Sequence, residues 1–219
     1  MGSIMYDLKD KVVKRDYQFI TSVLGACGYY PGFNMIISKT GKTDLYCTDE
    51  YFQRLKDILS KERNSIMIFG GRWPAHISNL EFDNKEGGGS NDRWHRDFVS
   101  TGTYENIQSS FLNEVSELSV NNKIILLYPV PEVGVDPNKK LYSQWIKRKN
   151  KFSQDYKLEY FTTSYQVFLE RNKTSFELLD SLKGDNIFRV YPHTILCDTI
   201  IKDRCITHNE EVVFYVDKH

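Results

Sequence analysis

Short apolar runs that stop on glycine or proline constrain this chain more than any other feature. "NSIMIFGG" reads as a buried strand over 65–69, and "KIILLYPV" as a second, continuous apolar strand. "NIFRVYP" and the closing "EVVFYV" read as two more, and "YQFITSVL" is an earlier strand-like run closed by Gly25. Strands that are apolar throughout belong to parallel sheets covered on both faces. Helical patterns lie between them. Ile4, Leu8 and Val12 share a stripe over Ile4 to Arg15. Asp49 is placed to cap a helix "EYFQRLKDILSKER". "TYENIQSSFLNEVSELSVNN" puts Ile107, Phe111, Val115 and Leu118 on one face, and further helices are expected over about 139–150 and 158–183. The remainder reads as loop: residues 26–48, the irregular stretch 72–103 with its flexible "KEGGGSND" tip, and "HTILCDTIIKDRC".

Strand and helix therefore alternate. The expected fold class is α/β, a three-layer sandwich with a mostly parallel central sheet flanked by helices. No repeat or linker divides the chain, so residues 1–219 read as a single domain. Lys and Arg number 29 against 29 Asp and Glu. With no global field, and with charges read as interspersed rather than clustered, nucleic acid and acidic membranes are not expected partners. No run approaches the roughly eighteen apolar residues of a membrane span, and no signal peptide opens the chain.

Two pairs of cysteines each bracket a short loop. Cys27 and Cys47 flank a Gly-, Tyr- and Lys-rich segment, and Cys197 and Cys205 flank "DTIIKDR". Neither pair has C-x-x-C spacing. The loops suggest two local disulfides and an oxidising compartment, the alternative being four reduced core thiols.

In open parallel sheets, ligands sit beyond the carboxyl ends of the strands. Three segments there can carry chemistry. In "GGRW", Gly71 lets a substrate approach the backbone, whose N–H groups can stabilise an oxyanion, and Arg72 can add a charged donor; the alternative is a tight turn with Trp73 as a core plug. In "PVPEVG", Pro129 and Pro131, with Pro137 shortly after, make a stiff wall carrying one acid, Glu132, the alternative being a turn with an exposed Glu. After the last strand come Asp217 and His219, an acid and a base of the kind that orient and activate a serine nucleophile. His76, His95, His193 and His208 are scattered singly, so no metal site is expected, and no cofactor either. "NKTS" at 172–175 fits a glycosylation acceptor or chance.

The order of these pieces resembles the SGNH-hydrolase-like domain fused behind the membrane domain of bacterial acyltransferase 3 proteins. The residues that carry the resemblance are the "ACGYYPG…C" loop from Cys27 to Cys47, "IMIFGGRW" at 66–73, "IILLYPVPEVGVDP" at 124–137, "FRVYPHTILCD…RC" at 188–205 and "VVFYVDKH" at 212–219. The resemblance implies a flavodoxin-like, SGNH-hydrolase-like sheet and Ser-His-Asp acyl transfer to a cell-envelope saccharide such as lipopolysaccharide. It implies a periplasmic domain tethered to the inner membrane, whose acyl donor comes through the acyltransferase 3 domain. It maps the cysteine pairs to Cys27–Cys47 and Cys197–Cys205, gives Asp217 as the triad acid and His219 as the base or its neighbour, and matches Gly71 and Arg72 to the oxyanion side. The family's Gly-Asp-Ser-His segment precedes its first helix, whereas this chain opens with that helix; Ser3 lacks the strand that would aim it. The family closes on Asp-x-x-His, and this chain on Asp217-Lys218-His219. The expectation is a chain cut at both ends, without its serine segment and with the base one place further on. A saccharide-binding module that has lost its nucleophile is the alternative.

Overall fold

The computed structural model describes residues 9, 11–15, 18–21, 27–78, 82–89, 96–151, 159–209 and 212–215. Its centre is a parallel sheet of β3 (Ile66–Phe69), β5 (Lys123–Leu127) and β7 (Ile187–Val190), in the order β3-β5-β7. Ile68 pairs with Ile125, and Ile125 with Phe188, so the three strands run in step and end together. Met67, Ile124, Leu126 and Ile187 project from one face into the core. They meet Phe52 of α1 (Asp49–Leu59), Phe111, Val115 and Leu118 of α3 (Ile107–Ser119), and Leu178 and Leu179 of α5 (Tyr165–Ser181). Each buried side chain of this size contributes about 1.5–3 kcal/mol. This is the α/β sheet with flanking helices that the alternation predicts. On the opposite face, Ile66, Ile68, Phe188 and Val190 are exposed, so an apolar run did not translate into cover on both faces among the described residues.

Helix ends follow from capping chemistry. Thr48, not Asp49, caps α1, its hydroxyl accepting from Tyr51 N. Asp49 instead receives Gly32 N–H at 2.7 Å, which anchors the turn that leads into Phe33. Asn106 and Ser109 form a reciprocal capping box at the start of α3. Pro137 begins α4 (Pro137–Lys151), where its missing N–H costs nothing. Ser164 caps α5, which starts later than the helical pattern suggests. Its expected first turns are instead β6 (Thr162–Ser164), paired with β8 (Arg204–Ile206).

Three stretches read as loop are ordered by distant partners. β1 (Phe33–Ile37) turns back on β2 (Lys42–Thr43) and pairs antiparallel with β4 (Arg96–Ser100). Gly32, at φ +87°, supplies the left-handed bend that β1 leaves from. Residues 73–77 form α2 (Trp73–Ile77), and 193–196 a short α6 (His193–Leu196). Two expected strands also differ. Residues 18–21 of "YQFITSVL" have no regular structure, and residues 212–215 make only an isolated antiparallel bridge, Val213 with His208. Of the opening helix, residues 11–13 are helical and most of the rest lies outside the described residues.

Both disulfides are present, Cys27–Cys47 and Cys197–Cys205. The first fixes the approach to β1 against the start of α1. The second closes a turn whose Asp198 and Asp203 both take positive φ, and sits in a satellite core with Phe168 and Leu196.

Candidate active site

At the carboxyl edge of the parallel sheet, the ends of β3 and β5 are joined by one carboxylate. Glu132 follows β5 in the stiff proline loop and is 8% exposed. Arg72, just past β3, donates to Glu132 Oε1 through Nε at 3.0 Å and Nη2 at 2.6 Å. Arg171 of α5 donates through Nε to Oε2 at 2.6 Å. The Arg171 guanidinium also lies 5.2 Å from the ring centroid of buried Phe82. A charge this buried persists only when paired, and both oxygens of Glu132 are engaged. The alternative of an exposed Glu is thus excluded. Glu132 is the hub of a clamp that holds strand end, loop and helix together. Arg72 belongs to the same clamp, with its side chain 36% exposed toward solvent.

The two glycines before Arg72 have different uses. A Cβ on Gly70 would lie 3.0 Å from Leu127 Cβ, so close packing between β3 and β5 requires glycine there. A Cβ on Gly71 would meet nothing within 4 Å, so its backbone borders open space at the sheet edge. Trp73 is both a core plug and a strut. It is buried, and its Nε1 donates to Leu127 O at 2.9 Å.

The chain's closing segment reaches the same edge. Tyr215 is buried, and its hydroxyl donates to Pro131 O at 2.7 Å. Burial, with Glu132 nearby, raises its pKa far above the ordinary tyrosine value, so it remains a neutral donor. Asn138 Nδ2 donates to Tyr215 O at 3.1 Å. Residues 82–89, which include the described part of the expected "KEGGGSND" tip, are held to the proline loop and to one another by hydrogen bonds rather than loose. Asn84 is buried, donates to Val133 O at 3.2 Å and accepts from Glu86 N and Gly88 N. Gly134, at φ +69°, packs against Gly88 so closely that a Cβ would lie 2.8 Å from its carbonyl carbon. Glu86 pairs with Arg204, which holds the carboxyl below its usual range.

The structure thus brings Gly71, Arg72 and Glu132 together. Asp217, His219, Ser3 and His95 lie outside the described residues. The other histidines stand apart. His76 Nδ1 is 3.2 Å from Tyr30 Oη, and His208 Nδ1 is 3.0 Å from Thr207 Oγ1. His193 sits among the rings of Tyr165, Phe168, Phe176 and Tyr191. Burial lowers the pKa of both His193 and His208. Among the described residues, no group of three or more His, Cys, Asp or Glu could hold a metal ion. Asn172 of "NKTS" is buried and donates to Phe168 O within its own helix, so it is no glycan acceptor in this fold. Arg171 and Asn84 escaped the reading of the sequence, and Tyr215 entered it only as part of the terminal "VVFYVDKH" match, with no role assigned.

The chain matches the family model described as "SGNH domain (fused to AT3 domains)" over residues 4–219. No curated protein and no solved structure matches it. None of the helices among the described residues is long and apolar enough to cross a membrane. With a parallel sheet, a clamped carboxyl edge and a family match over nearly its whole length, the chain belongs to the SGNH domain family, of the kind fused to AT3 domains.

Proposed function

We propose that this domain serves acyl transfer to a cell-envelope saccharide on the periplasmic side of the membrane. An AT3 membrane domain is the acyl donor's route, and a saccharide such as lipopolysaccharide is the acceptor. The observation that carries the reading is the anchoring of Tyr215 on Pro131. Asp217 follows Tyr215 by two positions in the sequence. What supports the reading is that the closing segment is bonded, at Tyr215, to the edge that Gly71 and the Glu132 clamp share. In this reading Asp217 holds an imidazole in the tautomer that accepts a serine proton. His219 is that base or its neighbour. The Gly71 backbone lies on the oxyanion side, with Arg72 fixed beside it by Glu132. A sugar hydroxyl then attacks the acyl-serine of the family's Gly-Asp-Ser-His segment, its proton passing through the imidazole to the departing serine oxygen.

The test compares cells with and without the gene for this chain. Base-labile acetyl on purified envelope saccharides is measured by mass spectrometry after feeding labelled acetate. The reading expects label lost on deletion and restored by the wild-type gene. Unchanged saccharide acetylation would contradict it.

A further inference from the structure

The neutral chain conceals one strongly basic element. The sequence of α4, "PNKKLYSQWIKRKNK", carries six basic residues, Lys139, Lys140, Lys147, Arg148, Lys149 and Lys151, and no acid. Removing those six from the 29 leaves 23 basic against 29 acidic residues elsewhere, a net of −6. The reading of evenly interspersed charge therefore fails here.

The orientation of α4 is also inverted. Its inward positions are Pro137, Leu141 and Gln144, and buried Gln144 spends its amide on the backbone of Glu159, accepting at 3.0 Å and donating at 3.4 Å. Its outward face carries Tyr142 at 62% exposure, Trp145 at 51% and Ile146 at 38%. Spacing of three and four residues places these side by side. The two rings lie 6.0 Å apart and nearly parallel. A helix that buries a polar residue and exposes three apolar ones is not shaped by its own core. Near this face Lys139 pairs with Asp136 at 3.4 Å, and Lys140 lies over the Phe161 ring. The remaining basic residues have no acid within the helix.

We propose that α4 is a membrane-surface helix that docks on an anionic phospholipid bilayer. Tyr and Trp are amphipathic and settle at the headgroup level, Ile146 fits the acyl boundary, and flanking lysines meet anionic headgroups. Ile146 favours a bilayer over a saccharide, which would use the rings alone. The surface does not depend on the acyl-transfer reading. It would, however, set the rim of the candidate site against the bilayer, because Asn138 at the start of α4 holds Tyr215.

The test is co-sedimentation of the chain with vesicles of phosphatidylcholine alone, and of phosphatidylcholine with about a third phosphatidylglycerol. The proposal expects binding to the second and little to the first, weakened by added salt. Lys139→Gln with Lys147→Gln should weaken it about thirtyfold. Tyr142→Ser with Trp145→Ser should abolish it at unchanged melting temperature, since both side chains are exposed. Equal binding to the two vesicles, no binding to either, or full binding by the Tyr142/Trp145 variant would overturn the proposal. So would retention on the anionic polysaccharide alginate without vesicle binding.

Discussion

At the scale of single residues, the clamp and the glycines give opposed expectations for stability and activity. Glu132→Gln leaves the Arg171 side chain, 8% exposed, facing an uncharged amide. That change should cost about 3 kcal/mol in urea unfolding, as breaking a buried pair does. Arg72→Met should cost only about 1 kcal/mol, because its side chain is 36% exposed and water screens the pair. Equal costs would mean that the clamp is not anchored on Arg171. Gly71→Ala should leave stability within about 0.5 kcal/mol while lowering acyl transfer, since the new methyl meets only open space. Gly70→Ala should destabilise by about 1–3 kcal/mol through its contact with Leu127. A Gly71→Ala protein with full activity would remove this backbone from the substrate path. His193 gives a pH expectation. Burial lowers its pKa in the folded state, so the unfolded chain binds the proton more readily. The stability this contributes is complete above about pH 6.5 and is lost as pH falls below it toward the folded-state value. His193→Phe should therefore flatten part of the decline in melting temperature on acidification, with His208, shifted in the same direction, keeping the rest. Parallel curves for the two proteins would count against it.

At the scale of elements, the disulfides differ in what they constrain. Cys27–Cys47 spans 20 residues and Cys197–Cys205 spans 8. Loop-closure entropy puts their contributions at about 3 and about 2.5 kcal/mol. Replacing the first pair with serines should lower the urea midpoint more than replacing the second, and the reverse order would show that the first loop is already restricted when unfolded. The elements that were legible in the sequence are those built from local signals. β3, β5, α1 and α3 follow from apolar runs, helical spacing and caps. β1 and β4 were not, because "FNMII" and "RDFVS" become strands only by pairing with each other, Phe33 with Ser100 and Ile37 with Arg96, across a long stretch of chain. The start of α5 was misread for the same reason: Thr162 pairs with Ile206 rather than continuing the helix. For the site, the strand-end rule pointed to Gly71, Arg72 and Glu132, and the structure sets all three along one edge. It could not show that Glu132 is spent on two arginines, since Arg171 reaches it from a helix that begins some thirty residues later.

At the scale of the molecule, the two basic facts are a family and an edge. The chain is an SGNH domain of the kind fused to AT3 domains, and its parallel sheet ends in a clamped rim to which the closing segment is bonded. The account stands on that rim being used for acyl transfer, with Asp217 as the acid that orients the base. The most direct measurement replaces Asp217 by Asn in the native gene and quantifies ester-linked acetyl on the envelope saccharides, with the variant's abundance checked by immunoblot. The account predicts normal abundance and a loss of transfer of about a thousandfold or more, as for the acid of a Ser-His-Asp site. Acetylation at the wild-type level by an equally abundant Asp217→Asn protein would contradict it.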